Sequence, residues 1–200
     1  IERLESAPVV ERISPTEMLE VTGTLNWPAQ MTRPEILHIV ALLCVFGQSA
    51  GPKHLELAMW VLGYLVRTKR MGITFGGRLK VPSGLSAYPD GFVNSTGLHT
   101  LYDSSWGKQP RPFGGYAVMY NNGCIGASSR KVKIVPDSSC EAETALASAA
   151  SKESVATRMV LSDIQRPVTG ATALLGDNQA TRDVIVKAGT TSRTRHFERA

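Results

Sequence analysis

The stretch "DSSCEAETALASAA", residues 137–150, places two glutamates, Glu141 and Glu143, at the start of an alanine-rich run. Alanine is the strongest helix former and the apolar residues recur at helical spacing, so we predict a long helix over 140–162. We expect its core-facing stripe to run through Ala142, Leu146, Ala149, Ala156 and Val160. Residues two apart on a helix point roughly 200° apart, which leaves the two glutamates on opposite flanks of that stripe. Only one of them can face a site shared with other groups.

Strand patterns surround this helix. Before it, "LHTLYDSSW" is a strand pattern, and "YAVMY" and "CIGAS" flank the tight-turn sequence Asn121-Asn122-Gly123, which predicts a β-hairpin. After it, "ATALLGD" is typical of a buried strand, and "NQATRDVIVKAG" of a helix that ends at Gly189. The order β-β-β-α-β-α predicts an α/β domain with a mixed sheet and flanking helices.

The chain before this domain has helical patterns. The segments "SPTEMLEVTGTL", "TRPEILHIVALLCVFG" and "PKHLELAMWVLGYLVRT" carry apolar residues at helical spacing. A stretch rich in Gly, Ser and Pro then predicts a long connection. We expect Trp27, Trp60 and Trp106 to lie in the core. The predicted organisation is an arm, an all-helical segment, a linker and the α/β domain, at residues 1–18, 19–72, 73–97 and 98–200.

Composition limits the classes of function. The formal net charge is +5 and the pI about 9.3, which permits a polyanionic partner without requiring one. The 3 cysteines are widely spaced without a CxxC pair, which favours a reducing compartment over a disulfide framework or a zinc site. No apolar run approaches the roughly 18 residues of a membrane span, and no signal-peptide pattern follows Ile1. The start at Ile1 indicates a piece of a larger protein, such as a trimmed polyprotein.

Acidic positions carry the functional hypothesis. Asp103 ends a predicted strand, Glu141 and Glu143 open the helix, and Asp177 follows a strand at the junction with the next helix. Strand ends of an α/β sheet converge on one edge, where ligands commonly bind. Carboxylates that meet there call for a cation, and Mg²⁺, which prefers carboxylate oxygen, suits phosphate chemistry. The structural alternative for either aspartate is a helix cap or a turn, above all for Asp177, which precedes Asn178.

A series of blocks ties this pattern to a known family. In order along about residues 20–200 they are "VTGTLNWPAQMTRPEI", "HLELAMWVLGYLVRTKRMGITF", "YDSSWG", "SSCEAETALA", "GDNQAT" and "SRTRHFE". They resemble, in the same order, the blocks that end a copia-type LTR-retrotransposon Pol polyprotein, where the connection runs into the ribonuclease H region of the reverse transcriptase. The family's D-A-D-W-A, S-S-T-E-A-E-Y-I-A and D-N-Q-A-A motifs correspond to the blocks that contain Asp103, Glu143 and Asp177.

The resemblance implies a ribonuclease H-like domain preceded by a thumb-like helical connection. In the family's pattern the second glutamate is catalytic, so Asp103, Glu143 and Asp177 would be metal ligands and catalytic groups, with Glu141 the weaker candidate. The implied reaction is hydrolysis of the RNA strand of an RNA–DNA hybrid with two Mg²⁺ ions, for which Mn²⁺ can substitute. The rest of the reverse transcriptase polyprotein is an implied partner. The implied location is intracellular, in the cytoplasm, a virus-like particle or the nucleus.

The sequence departs from the family's pattern in places. Relatives continue with a further strand and a helix that carries a fourth carboxylate, whereas this sequence stops at Ala200. Glu198 is no obvious substitute for that ligand. We therefore expect a domain that lacks its last strand and helix, and a partner segment that completes the sheet edge. The block around Asp103 also has one acid fewer than the family's motif, and there is no Y-x-D-D polymerase motif.

Basic residues flank the predicted site. Arg130, Lys131 and Lys133 follow the hairpin, and Arg193 and Arg195 lie near the C-terminus. Phosphate contacts to a hybrid are one interpretation, and a solvated basic surface is the other. Two alternatives to a nuclease stay open. One is a degenerate or repurposed remnant that acts as a binding or structural subunit; the other is a nucleic-acid-binding module whose affinity for a hybrid needs no divalent metal.

Overall fold

The computed structural model describes residues 4–76, 96–105 and 111–186. The chain divides into two compact units, Ile1–Ile73 and Thr74–Ala200. Within the described ranges, no helix combines the length and the apolar character needed to cross a membrane.

The first unit is helical. Its main helices are α1 (Pro15–Met31), α2 (Leu37–Val45) and α3 (Pro52–Arg67), and short 3-10 turns occur at Val9–Glu11 and Pro34–Ile36. Pro28 lies within the last turn of α1, where its own carbonyl accepts from the N–H groups of Thr32 and Arg33. These bonds close the last turn of the helix, which ends three residues after Pro28.

The tryptophans of this unit lie on its surface, and the prediction that they are core residues is wrong. Trp27 is 67% exposed and Trp60 is 66% exposed. Helix α1 buries Leu25 and Ala29, and Trp27 lies two positions from each of them, which turns it roughly 200° away from the buried face. Trp60 stands in the same relation to the buried Ala58 of α3. Small and aliphatic side chains form the helix contacts, and both indole rings are left outside.

The second unit is a mixed sheet with flanking helices. Its strands are β1 (His99–Ser104), β2 (Phe113–Tyr120), β3 (Gly123–Lys131) and β4 (Ala173–Leu175), and its helices are α4 (Ser139–Asp163) and α5 (Gln179–Val186). The strand order is β3-β2-β1-β4; β2 is antiparallel to both neighbours, and β4 runs parallel to β1. The α/β class and the mixed sheet predicted from the sequence are confirmed.

The predicted hairpin joins β2 and β3. Asn121 and Asn122 have φ angles of 48° and 67°, in the left-handed region that the mirror-image turn of a tight hairpin requires. Asparagine tolerates this region better than most residues because its short polar side chain bonds locally. The dipeptide therefore selects the turn.

Helix α4 covers one face of the sheet. Its Leu146, Ala147 and Ala150 pack with Tyr102 of β1 in a buried cluster. The hydroxyls of Thr100 and Ser154 meet at 2.7 Å across the same interface, so the buried polar groups there are satisfied. The helix comes close to the strands, and the prediction of a long helix at this place is confirmed.

The predicted orientation of α4 is partly wrong. Ala142 and Leu146 are buried as expected, but Ala156 and Val160 are exposed. The buried face follows a neighbouring stripe instead, and its members include Glu143, Ala147, Ala150, Ser154 and Leu161. Alanine occurs on every side of this helix, so the apolar pattern does not show which face is buried. The correction matters because it turns Glu143 from a flank of the helix into its buried face.

Candidate metal centre

Three carboxylates stand on three different elements. Asp103 is the penultimate residue of β1, Glu143 lies in the second turn of α4, and Asp177 follows β4 just before α5. Strands β1 and β4 are parallel neighbours, so their carboxyl ends lie at the same edge of the sheet. The N-terminal part of α4 reaches the same edge.

The structure brings the three groups together. One oxygen each from Asp103, Glu143 and Asp177 lies within 4.8 Å of the other two. Asp103 and Asp177 are exposed, whereas Glu143 is only 5% exposed. The cluster therefore has one buried carboxylate at its base and two at its solvent side.

The two oxygens of Glu143 have different environments. Oε1 accepts a hydrogen bond of 3.0 Å from Nδ2 of Asn178. Oε2 is buried and, among the described residues, has no hydrogen-bond partner. A buried acceptor without a partner is costly, and proteins seldom leave one without a functional reason.

The electrostatics of the site disfavour the ionised form of Glu143 when no cation is present. Burial raises the pKa of the Glu143 carboxyl above its ordinary value. The hydrogen bond from Asn178 opposes that shift, and the negative charges of Asp177 and Asp103 add to it. The pKa of Tyr102, which packs beside the cluster, is raised by burial and then by the charges of Glu143 and Asp177. Bringing like charges together in this way is common where a bound cation neutralises them.

Asn178 is a residue of the centre that the sequence reasoning missed. Its side-chain oxygen accepts from the N–H groups of Ala180 and Thr181, at 2.9 and 3.2 Å, and so caps the first turn of α5. Its amide group donates to Glu143 at the same time. The asparagine therefore ties α5 to α4, and it performs the capping role that the sequence left open for Asp177. An Asn directly before a helix start was the signal available in the sequence.

Glu141 has a different role. Its Oε2 accepts a hydrogen bond of 2.7 Å from the backbone N–H of Asp137, and its own N–H donates to the hydroxyl of Ser138 at 3.2 Å. These bonds form the N-terminal cap of α4. The carboxylate of Glu141 is not part of the cluster described above.

The donor set fits a hard divalent cation. Carboxylate oxygens are the ligands that Mg²⁺ and Mn²⁺ prefer, and the set contains neither thiolate nor imidazole. The unpartnered Oε2 of Glu143 also fits such a cation, because a cation would satisfy this buried oxygen. Asp103 and Asp177 would complete the ligand set from the solvent side.

The predicted basic residues divide into two groups. Arg130, Lys131 and Lys133 are exposed, at the end of β3 and just after it. Arg193 and Arg195 lie outside the described residues. Trp106 and the predicted helix end at Gly189 also lie outside the described residues, and the predictions for them stay untested.

The chain is similar in sequence to transposon proteins and to one effector protein. It is 32% identical to a putative transposon Ty5-1 protein of Saccharomyces cerevisiae, over 72% of this chain and 44% of that protein. It is 29% identical to the Retrovirus-related Pol polyprotein from transposon TNT 1-94 of Nicotiana tabacum, over 71% of this chain and 10% of the polyprotein. It is also 29% identical to the Secreted RxLR effector protein 161 of Plasmopara viticola, over 68% of this chain and 88% of that protein.

The chain thus spans less than half the length of the transposon proteins that it matches. No protein-family profile matches it, and no solved structure does. The names of these transposon relatives agree with the family resemblance of the sequence blocks. The chain is therefore related to the Pol polyproteins of retrotransposons and corresponds to a segment of them.

Proposed function

We propose that this chain is the connection and ribonuclease H-like segment of a retrotransposon reverse transcriptase, and that it hydrolyses the RNA strand of RNA–DNA hybrids. The observation that carries the proposal is the carboxylate cluster, whose buried member, Glu143, keeps one oxygen without a partner. The fold supports it, because the hairpin, central β1, crossover helix and parallel β4 make the mixed sheet that such a domain requires. Relatedness to Pol polyproteins supports the polyprotein setting.

In this proposal the chain's own residues prepare the site. Asp103, Asp177 and Oε2 of Glu143 would hold Mg²⁺, with Mn²⁺ as a substitute. When bound, two such ions activate water and neutralise the charge that develops on the phosphate. The reaction adds water across the bond between phosphorus and the 3′ oxygen, so the products are a 5′-phosphate and a 3′-hydroxyl. Asn178 would keep the Glu143 side chain in one rotamer throughout.

The surroundings of the carboxylate cluster suit a nucleic-acid duplex as the substrate. The two exposed aspartates leave the centre open to a large ligand such as a duplex. The basic residues Arg130, Lys131 and Lys133 would contact its phosphates. Arg193 and Arg195 are proposed as further phosphate contacts. Strand β4 lies at the edge of the described sheet, so a partner segment that pairs with it belongs to the same proposal.

A hybrid with labelled RNA tests the proposal. The purified chain is incubated with it in Mg²⁺ or Mn²⁺, beside an Asp177→Asn variant and a Glu141→Gln control. We expect metal-dependent cleavage of the RNA strand by wild type and by the control, and none by Asp177→Asn. Because Asp177 is exposed, its substitution should leave the fold intact, which circular dichroism checks. Absence of cleavage by well-folded wild-type protein contradicts the proposal.

A second candidate is a repurposed, non-catalytic binding or structural subunit. The similarity to a protein named as a secreted effector, of which the match covers 88%, favours it. The reduced acidic motif at Asp103 points the same way. This candidate predicts no cleavage in any divalent metal by a folded protein, so the same experiment separates it from the nuclease.

A further inference from the structure

A groove lies on the sheet face that α4 covers, on the side of this helix toward β3. Its cavity volume is about 560 Å³, and its lining includes Arg130, Val132, Lys133, Ala149, Lys152 and Ala156. On α4, the last three of these residues lie three or four positions apart, so they share one side of the helix. The groove is separate from the carboxylates, which stand at the N-terminal end of α4.

Positive charge dominates the groove. Arg130, Lys133 and Lys152 line it, and within residues 4–76, 96–105 and 111–186 none of them forms an ion pair with a carboxylate. The lining contains one acid, Glu153, whose carboxylate accepts a hydrogen bond of 3.2 Å from the hydroxyl of Tyr116. The surplus of cations around a concave surface attracts an anionic ligand.

The floor of the groove admits a close approach. Ala145, Ala149 and Ala156 contribute it from α4, and Val132 closes it from the end of β3. Small side chains let a ligand come near the helix, and their methyl groups suit the carbon face of a sugar. The three cations line the same groove. The pattern fits a strand of alternating sugars and phosphates.

The groove lies within a few nucleotides of the carboxylates. Arg130 pairs with Gly114 and Gly114 with Ser104, the neighbour of Asp103, so Arg130 is two strands away, or roughly 10 Å at the normal strand spacing. Lys152 follows Glu143 by nine positions on α4, or about 14 Å along the helix axis. At about 3.4 Å per nucleotide along one strand, these separations correspond to roughly three to four nucleotides.

We propose that this groove binds the sugar–phosphate backbone of the hybrid, about three to four nucleotides from the phosphate at the carboxylates, with Lys152 as a phosphate contact that the sequence pattern does not reveal. The proposal rests on the proposed function for the identity of the ligand. Of the basic residues that follow the hairpin, Arg130 and Lys133 line the groove and Lys131 does not, so only the first two are assigned to it.

The test separates binding from catalysis. A fluorescent hybrid is titrated with the whole chain in EDTA, at several salt concentrations, for wild type and Lys152→Gln. Loss of one phosphate contact lowers the affinity about five-fold at 0.15 M salt and reduces the slope of log affinity against log salt by about 0.9. Arg166→Gln is the matched control: it removes the same charge from an exposed position just beyond α4, outside the groove.

A second variant lowers the net positive charge of the groove without removing a cation. Ala156 is exposed, so Ala156→Glu should fold, and its carboxylate would repel the backbone. We expect a loss of affinity at least as large as that of Lys152→Gln. Affinities of both variants equal to that of the control would overturn the proposal. Binding of poly-aspartate that Lys152→Gln abolishes, with hybrid binding unchanged, would assign the groove to an acidic protein segment and would overturn it too.

Cleavage is scored independently with the same proteins in Mg²⁺. Weaker hybrid binding by Lys152→Gln, when wild type cleaves nothing, supports the groove and refutes the proposed function. Cleavage by wild type, with an unchanged affinity in both groove variants, refutes the groove alone.

Discussion

Replacement of Glu143 by Gln should stabilise the protein when no divalent cation is present. The oxygens of the three carboxylates lie within 4.8 Å of one another. At that separation two unit charges repel by roughly 1 kcal/mol in water-like surroundings and by roughly 3 kcal/mol at an intermediate dielectric. Because Asp103 and Asp177 are exposed, the lower figure applies, and removing the charge at position 143 relieves both repulsions for about 2 kcal/mol in total.

The substitution keeps the other contacts of the side chain. Glutamine has nearly the same shape, and its oxygen can still accept from Nδ2 of Asn178. A gain of about 2 kcal/mol corresponds to a rise in Tm of roughly 4–8 °C for a chain of this size. Thermal unfolding is followed by circular dichroism in EDTA at pH 8, and added salt should reduce the gain by screening.

Added Mg²⁺ should reverse the order of stability. Under the proposed function, wild type would bind the cation in its folded state and gain stability with cation concentration, whereas the variant would gain much less. Glu141→Gln is the control, because it removes the same charge two residues away on α4, outside the cluster, and should give no gain in EDTA. A Tm of Glu143→Gln at or below that of wild type in EDTA would refute the reasoning.

Three further outcomes follow from particular contacts. Asn178→Ala removes the cap of α5 and the bond to Glu143, so urea unfolding should show a loss of about 1–2 kcal/mol, and titration with Mn²⁺ followed by electron paramagnetic resonance should show weaker binding. Asn178→Ser keeps a capping oxygen and adds no charge beside Glu143, so it should lose less stability, and equal losses would contradict the capping role. Burial lowers the pKa of His54, whose Nδ1 accepts a hydrogen bond from the N–H of Gly51. The stability that neutral His54 contributes is therefore complete above about pH 6.5 and is lost as the pH falls from there through the lower folded-state pKa. His54→Gln should flatten that part of the pH–stability curve, and an unchanged curve would exclude His54 as the source of the pH dependence. Arg33→Lys breaks the hydrogen bonds of the guanidinium to Glu35 and to Thr68, so the free energy of unfolding should fall by about 2 kcal/mol or more. A loss under about 0.5 kcal/mol would show that the lysine ammonium can replace the guanidinium in these hydrogen bonds.

Much of the second unit could be predicted because its local signals agree with its tertiary structure. The hairpin was predictable since Asn121 and Asn122 meet the backbone requirement of the turn within the turn itself. The length of α4 was predictable because alanine favours helix whatever surrounds it. Both inferences depend on residues close together in the sequence.

The wrong predictions concern which face of a helix is buried, not whether the helix is present. The buried face of α4 was misplaced because its alanines do not distinguish the sheet side from the solvent side. Trp27 and Trp60 were predicted to lie in the core, although the buried positions near them on α1 and α3 hold aliphatic residues. Asn178 escaped notice because its contact with Glu143 joins segments far apart in the chain. Spacing alone left Glu141 and Glu143 undecided. The family resemblance favoured Glu143, and the packed helix shows that Glu143 is the one in the cluster.

The brevity of β4, three residues from Ala173 to Leu175, has a consequence for dynamics. Short edge strands open locally at a small fraction of the cost of global unfolding. Each opening of β4 would carry Asp177 away from Asp103, so the carboxylate cluster would exist only while this strand is paired. In the proposed function, cation binding would therefore be coupled to the pairing of β4 with β1. Hydrogen exchange at Ala173, Leu174 and Leu175 should slow as Mg²⁺ is added, while exchange in the hairpin on the far side of the sheet stays the same.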